Sequence, residues 1–387
     1  MLQIDHVYEF FYQEIFRDFE LWHCFDGVIN PNQVNISDIS VFTPIKDPLA
    51  KIFFYDQEPF ITKLSKPYID IFSDSPWSSV LVTSEYSQDV DDCIKNNNFQ
   101  SLYYFFHGFA AQDWYRGYYA LNYNKSIIKN YKHDFISFNR IINDDRSYRI
   151  YFISLLKEHG IIDRGQISFN VTDDYFNDWR DEVADPQSKL SHHAKQHIEK
   201  HLIDIFKLTI DRAELPGSAS ANIPRTINRR DYNNDTPNYD SLWHVVTETV
   251  FYYNKLHLTE KIFKPIVSKQ PFMLLAAPGN LEYLRSYGFK TFDGIIDESY
   301  DLIQDNELRT EAVVKQLHWY CNLTPDEKTN IIQQLEPIID YNFHHFYGEF
   351  KHIITSELLN NTKKLFKDFG YNDKDISYDT VYNVLTK

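Results

Sequence analysis

LWHVVTETVFYYNKLHLTEKIFKPIVSKQPFMLLAAPG, residues 242–279, carries the pattern that decides the fold. LWHVVTETVF (242–251) is dense in apolar and β-branched side chains and reads as a strand running into a loop. LTEKIFKPIVSK (258–269) reads as a helix with Thr259 near its start. QPFMLLAAPG (270–279) returns to a buried strand and ends in a Pro-Gly turn. Strands separated by helical stretches are βα units of a parallel sheet.

The alternation extends to both sides. NLEYLRSYG (280–288) reads as a short helix ending at Gly288, and FKTFDGIID (289–297) as the next strand. Upstream, HDFISFNR (133–140) is a strand. DRSYRIYFISLLKEHG (145–160) is a helix with Ile150, Tyr151, Ile153 and Leu156 as its apolar positions, stopped by Gly160. IIDRGQISFNV (161–171) returns as a strand. In the first third, KIFFYDQEPF (51–60) begins as a buried strand. SSVLVTSEYS (78–87) is a strand leading into a helix that Ser84 could cap, with Ser87 and Asp89 behind it. SLYYFFHGFA (101–110) is a strand ending in a glycine turn. A polar stretch over about 185–240 separates the two halves of the second series, and its later part reads as a long loop. From about Tyr341 the chain reads as mostly helical. The expected architecture is α/β: a Rossmann-like domain over 1–130, a second over 131–345, a cleft between them, and a helical segment, 346–387, packing back on the first.

Composition bounds the function. The chain has 387 residues, enough for two domains. Its formal net charge of −16 argues against non-specific binding to nucleic acid. Three widely spaced cysteines, Cys24, Cys93 and Cys321, give neither a disulfide framework nor a zinc motif and fit a reducing compartment. No basic leader precedes an apolar run, and no apolar run is of membrane-spanning length, so a cytoplasmic protein without a membrane partner is expected. The 28 Tyr and 30 Phe suit sugar- or base-binding clefts, although an A·T-rich genome produces the same bias. Neither GxGxxG nor GxxxxGK[ST] occurs, which leaves dehydrogenase and P-loop chemistry without support.

Two clusters carry chemistry. At 259–261, Thr-Glu-Lys opens a helix after a strand; backbone N–H groups at such an end favour phosphate, and Lys261 adds a cation. Glu260 is suited to accept from ribose hydroxyls. At 138–149, FNRIINDDRSYR follows a strand and gathers Arg140, Arg146 and Arg149, whose guanidiniums can grip a diphosphate. Asp89-Val90-Asp91 contains a DxD pair but falls in a helical stretch and reads as acidic surface. His192, His193, His197 and His201 lie at helical spacing, with the last three on one face. A zinc site there would need a ligand from elsewhere in the chain, so they read as a solvated helix face and no metal is expected.

Taken together, the clusters resemble the donor-binding half of the α1,3-fucosyltransferase family. That family has a strand ending in Ser-Asn with an Arg about seven residues on, then a helix with paired aromatics; here these are Phe138-Asn139, Arg146 and Tyr151-Phe152. GIIDRGQISF takes the place of the next strand and its Gly-containing turn. The family's Phe-Glu-Asn strand and following Tyr-Ile-Thr-Glu-Lys correspond to Thr247-Glu248-Thr249 and His257-Leu258-Thr259-Glu260-Lys261. Its Asn-Tyr-Glu-like segment corresponds to Pro278-Gly279-Asn280-Leu281-Glu282-Tyr283. The likeness covers about 133–300. Thr249 and His257 depart from the motif, and the gap is one residue longer, so neither sugar nor base is specified. The resemblance implies a GT-B fold and an inverting glycosyltransferase with no metal and no cofactor beyond a UDP- or GDP-linked nucleotide-sugar co-substrate. Lys261, Arg146 and Arg149 would hold the diphosphate, Glu260 the ribose, and Glu248 would lie near the sugar, with Asn139, Arg140, His257 and Thr259 completing the donor site.

Inversion needs a base for the acceptor hydroxyl. The family's Phe-Glu-Ser-like turn resembles KIFFYDQEPF, which makes Glu58 the first candidate, with Asp56 its rival and His107 of FFHGF the alternative. The acceptor is a glycan or small molecule. The alternative is a hydroxymethylated pyrimidine in DNA, glucosylated or arabinosylated by a phage enzyme in the host cytoplasm, with Arg225, Arg229 and Arg230 touching phosphates. A non-catalytic binding protein of the same fold is the third reading.

Overall fold

Two five-stranded sheets organise the chain. The computed structural model describes residues 2, 4–15, 20–24, 39–42, 50–56, 78–124, 131–139, 141–170, 178–202, 207–209, 240–369 and 376–386. The chain divides into two compact units. The first comprises Met1–Arg116, Lys255–His257 and Tyr347–Lys387; the second comprises Gly117–Asn254 and Leu258–Phe346.

The first sheet contains β1 (Glu20–Cys24), β2 (Ile39–Phe42), β3 (Ala50–Tyr55), β4 (Ser78–Thr83) and β5 (Gln100–Tyr103), in the order β2-β1-β3-β4-β5. All neighbours are parallel except β1 and β2. Ile52, Phe53, Phe54 and Val80, Leu81, Val82 are buried in succession, the pattern of strands covered on both faces. The covering helices come from both ends of the chain. Ile4–Glu9, continued by a π-helical turn over Phe10–Ile15, sets Phe11 edge-on to Phe54 and Tyr104. The Phe350–Asp368 helix packs beside β5, where Asn361 Nδ2 donates to the Tyr103 carbonyl over 2.9 Å.

The second sheet contains β6 (His133–Phe138), β7 (Gly165–Asn170), β8 (Lys207–Thr209), β9 (Ser241–Thr247) and β10 (Phe272–Leu275), in the order β10-β9-β6-β7-β8. Only β8 runs antiparallel to its neighbour. Counted along the chain within this unit, the order is 3-2-1-4-5, that of a doubly wound sheet. Every residue of β9 is buried because β6 and β10 flank it. Trp243 is fully enclosed and meets the rings of Phe292 and Tyr320 edge-on. Each fully buried large apolar side chain contributes about 1.5–3 kcal/mol, so these central strands anchor the unit. Helix Tyr148–Glu158 is buried from Tyr148 to Leu156, with His192–Leu202 and Asn306–Cys321 against it.

Four segments differ from their sequence expectations. SLYYFFHGFA is a strand only to Tyr103. His107 and Gly108 lie in the Phe106–Trp114 helix, where an added Cβ at Gly108 would press on the Phe105 ring. The Gln88–Asn97 helix is capped by Ser87, which accepts from Val90 N, whereas the Ser84 hydroxyl donates to the Asp56 carbonyl. IIDRG opens with a 3-10 turn, Ile162–Arg164, before β7. FKTFDGIID forms one isolated bridge, Asp293 to Ile296, and no strand. Gly294 turns the backbone at φ +83°, and the Glu298 carboxylate accepts from Phe292 N and Thr291 Oγ1, taking the place of ladder bonds. Of the polar stretch, 203–206 and 210–239 lie outside the described residues, and with them Arg225, Arg229 and Arg230. Among the described residues no helix is long and apolar enough to cross a membrane.

Candidate functional site

In a doubly wound sheet, ligands gather beyond the carboxyl ends of the strands where the winding reverses. In the second unit that point lies between β6 and β9. Its floor is closed by hydrogen bonds between the two strand ends: Thr247 Oγ1 donates to the Phe138 carbonyl over 3.0 Å and to Asn139 Oδ1 over 3.2 Å. Beyond β9, Glu248 is fully buried and turned toward the following helix. Its carboxylate accepts from Thr259 N (3.2 Å), Thr259 Oγ1 (2.6 Å) and Thr249 N (3.2 Å). Burial pushes its pKa above the ordinary carboxylate value, and the Lys261 charge and the Thr259 bonds act against that.

Thr259 is the N-cap of the Glu260–Val267 helix, accepting from Lys261 N. Lys261 Nζ lies over the same point, 3.0 Å from Thr259 Oγ1, 3.2 Å from Thr249 Oγ1 and 3.5 Å from Glu260 Oε1. Its side chain is 35 % exposed, so the ammonium is accessible to a ligand. One turn on, Lys264 is buried with its ammonium 4.3 Å from the centre of the Phe138 ring at the end of β6. Burial lowers its pKa to about 8, against the opposing charge of Glu260. Arg146 ends the 3-10 turn Asp144–Arg146 and is half-buried. Its guanidinium makes no hydrogen bond or ion pair among the described residues. A partly exposed ammonium thus stands at a helix N-terminus at this end of the sheet.

Two residues expected at the ligand are held in structural contacts instead. Arg149 is buried and donates to the carbonyls of Ile141 (2.8 Å), Thr247 (2.7 Å) and Glu248 (3.3 Å). It therefore satisfies the carbonyls around the end of β9 and does not face a diphosphate. Asn139 is fully buried, its amide engaged by Ser137 and Thr247. His257 belongs to the first unit. Glu260 is buried beside Lys261. Glu58 and Arg140 lie outside the described residues.

In the first unit, the carboxyl ends of β3, β4 and β5 carry a second polar cluster. Asp56, buried just after β3, accepts from the hydroxyls of Tyr104 and Tyr8, the latter at 3.2 Å. His257 Nδ1 lies 3.3 Å from the Ser84 carbonyl, and its ring stands edge-on to His107 at 5.1 Å. His107 is buried in the first turn of its helix, whereas the sequence suggested a strand end. Lys255, buried with them, pairs with Glu85 (2.7 Å) and Asp89 (2.8 Å). The 255–257 segment is tied down by a bridge between Tyr86 and Leu256.

The sequence left Lys264 and Tyr148 unremarked. Tyr148 donates from its hydroxyl to the Glu248 carbonyl over 2.6 Å and stacks on Phe251. With Tyr151, Tyr252 and Lys189 it lines a pocket beside the strand end. The Glu260–Lys264 spacing of four was the available signal for Lys264. No protein-family model, curated protein or solved structure matches the chain.

Proposed function

We propose that the chain is a glycosyltransferase that takes its sugar from a nucleotide-sugar donor bound by the second unit. The observation that carries this reading is Lys261: a half-exposed ammonium at the N-terminus of the helix after β9, beside the reversal point of a doubly wound sheet. A donor diphosphate meets there the helix N-terminus, Lys261 and Arg146. These charges stabilise the nucleoside diphosphate as it leaves, on whose departing oxygen negative charge develops.

Within the same proposal, the enzyme is of the GT-B type and inverts at the anomeric carbon. An acceptor hydroxyl attacks that carbon as its proton passes to a base and the bond to the diphosphate oxygen breaks. Glu58 is proposed as the base. Asp56 is buried and its carboxylate is already engaged by two tyrosine hydroxyls, which leaves it poorly placed to meet an acceptor.

The test is thermal unfolding with UDP-, GDP-, ADP- and CMP-linked sugars. A donor at 100 times its dissociation constant stabilises by about 2.7 kcal/mol. One nucleotide class should raise Tm in the wild type and much less in Lys261→Ala. Absence of a shift with every donor would sink the proposal. Stabilisation without sugar transfer in the wild type would instead mark a binding protein. Glu58→Gln should keep the shift and lose turnover.

A further inference from the structure

Away from the strand ends, the His192–Leu202 helix lies along the Tyr148–Glu158 helix. On its histidine face His193 is solvated, 67 % exposed, as the spacing suggested, but the next two turns are not. His197 and His201 are 11 % and 17 % exposed and their rings stack at 4.4 Å. Glu158, the last residue of the facing helix, brings its carboxylate to both: Oε2 is 3.0 Å from His197 Nε2, and Oε1 is 3.9 Å from His201 Nε2. Both Nε2 atoms are shielded from solvent and face the Glu158 carboxylate.

The hydrogen-bond chain behind His197 fixes its tautomer. The Ser154 hydroxyl donates its only proton to the Tyr151 carbonyl over 2.7 Å. Ser154 Oγ therefore accepts from His197 Nδ1, 2.9 Å away. A neutral His197 then presents a bare lone pair from Nε2 to a carboxylate oxygen at 3.0 Å. Two lone pairs at that distance repel unless a cation lies between them. The backing of an imidazole by a hydroxyl, with its other nitrogen turned toward a carboxylate and a second imidazole, is the arrangement of a metal ligand and its supporting contact.

We infer that Glu158, His197 and His201 form a divalent transition-metal site, able to take zinc, that staples these two helices together. Two imidazoles four residues apart on one helix and a carboxylate from another supply three of zinc's four ligands. All three ligand atoms lie within 4.8 Å of one another. A tetrahedral centre holds such atoms about 3.4 Å apart, so rotation of the half-exposed Glu158 side chain closes the set. The exposure of Glu158 leaves the fourth position to water.

The test is titration of chelator-stripped full-length protein with Zn²⁺ against a chromophoric competitor, followed by Co²⁺ for its tetrahedral absorption bands. The wild type should bind one equivalent and gain Tm. Glu158→Gln and His201→Ala, each checked for native circular dichroism, should bind at least about 10–100-fold more weakly, and Ser154→Ala, the positioning residue, about 10-fold. Cys93→Ser/Cys321→Ser should bind as the wild type does. Failure of the wild type to bind would overturn the site. Equal binding by Glu158→Gln and His201→Ala would assign the metal to other residues and overturn it too.

Discussion

Glu248 and Thr259 are joined twice, through the Thr259 amide at 3.2 Å and its hydroxyl at 2.6 Å, and this pair locks the helix carrying Lys261 to the end of β9. Thr259→Val removes both the hydroxyl donor and the N-cap and leaves a buried carboxylate short of one partner. A loss of about 1–3 kcal/mol is expected. Thr259→Ser should recover most of it. Urea unfolding of the two variants measures the difference; equal stability would mean that the hydroxyl does not hold the helix.

His244 provides a pH signature of the core of β9. Burial, with the nearby Lys264 charge, lowers its pKa to about 3 from an ordinary 6.5. Between those values the unfolded chain binds the proton and the folded chain does not. Stability therefore falls as pH drops from about 6.5 toward 3, by an amount on the order of 4 kcal/mol from this group. His244→Gln should flatten that part of the profile relative to the wild type.

Lys264 acts at the other end of the scale. Its pKa is about 8 when folded against an ordinary 10.5. The unfolded chain holds the extra proton between those values, so burial of this lysine costs less as pH rises from 8 to 10.5. The stability gained by Lys264→Met over the wild type should therefore shrink across that window. Comparing the two proteins cancels the tyrosines that titrate there.

Gly165 begins β7 where no side chain fits. A Cβ at this position would stand 2.3 Å from the Phe135 ring, which is buried in β6. Gly165→Ala should cost about 1–3 kcal/mol through overpacking. Gly117→Ala, which meets nothing within 4 Å, should stay within about 0.5 kcal/mol of the wild type.

The parts of the fold legible in the sequence were those in which local pattern and burial agree. β9, the Thr259-capped helix and β10 are read directly because both strands are buried at every position. FKTFDGIID misled because its backbone groups are satisfied by the Glu298 carboxylate, a partner no strand pattern shows. Lys264 was missed because a lysine is expected in water, and this one lies over Phe138. The spacing of His197 and His201 was visible, but Glu158 is some forty positions away and only helix packing brings it near.

The sharpest separation concerns Arg149 and Lys261, both of which the family resemblance put at a diphosphate. Arg149 is enclosed and bound to three carbonyls, whereas Lys261 is accessible. Arg149→Met should unsettle the fold, because the carbonyls of Ile141, Thr247 and Glu248 lose their donor inside the protein; a loss of about 2–4 kcal/mol in urea unfolding is expected. Lys261→Ala should leave stability within about 0.5 kcal/mol, since its ammonium is partly solvated. It should weaken binding of the preferred nucleoside diphosphate about 10–100-fold, the worth of a charge-assisted contact of about 1.5–3 kcal/mol. Calorimetric titration and unfolding on the same two variants give four numbers. A stable Arg149→Met that no longer binds would return Arg149 to the ligand, and a Lys261→Ala that binds as the wild type does would remove Lys261 from it.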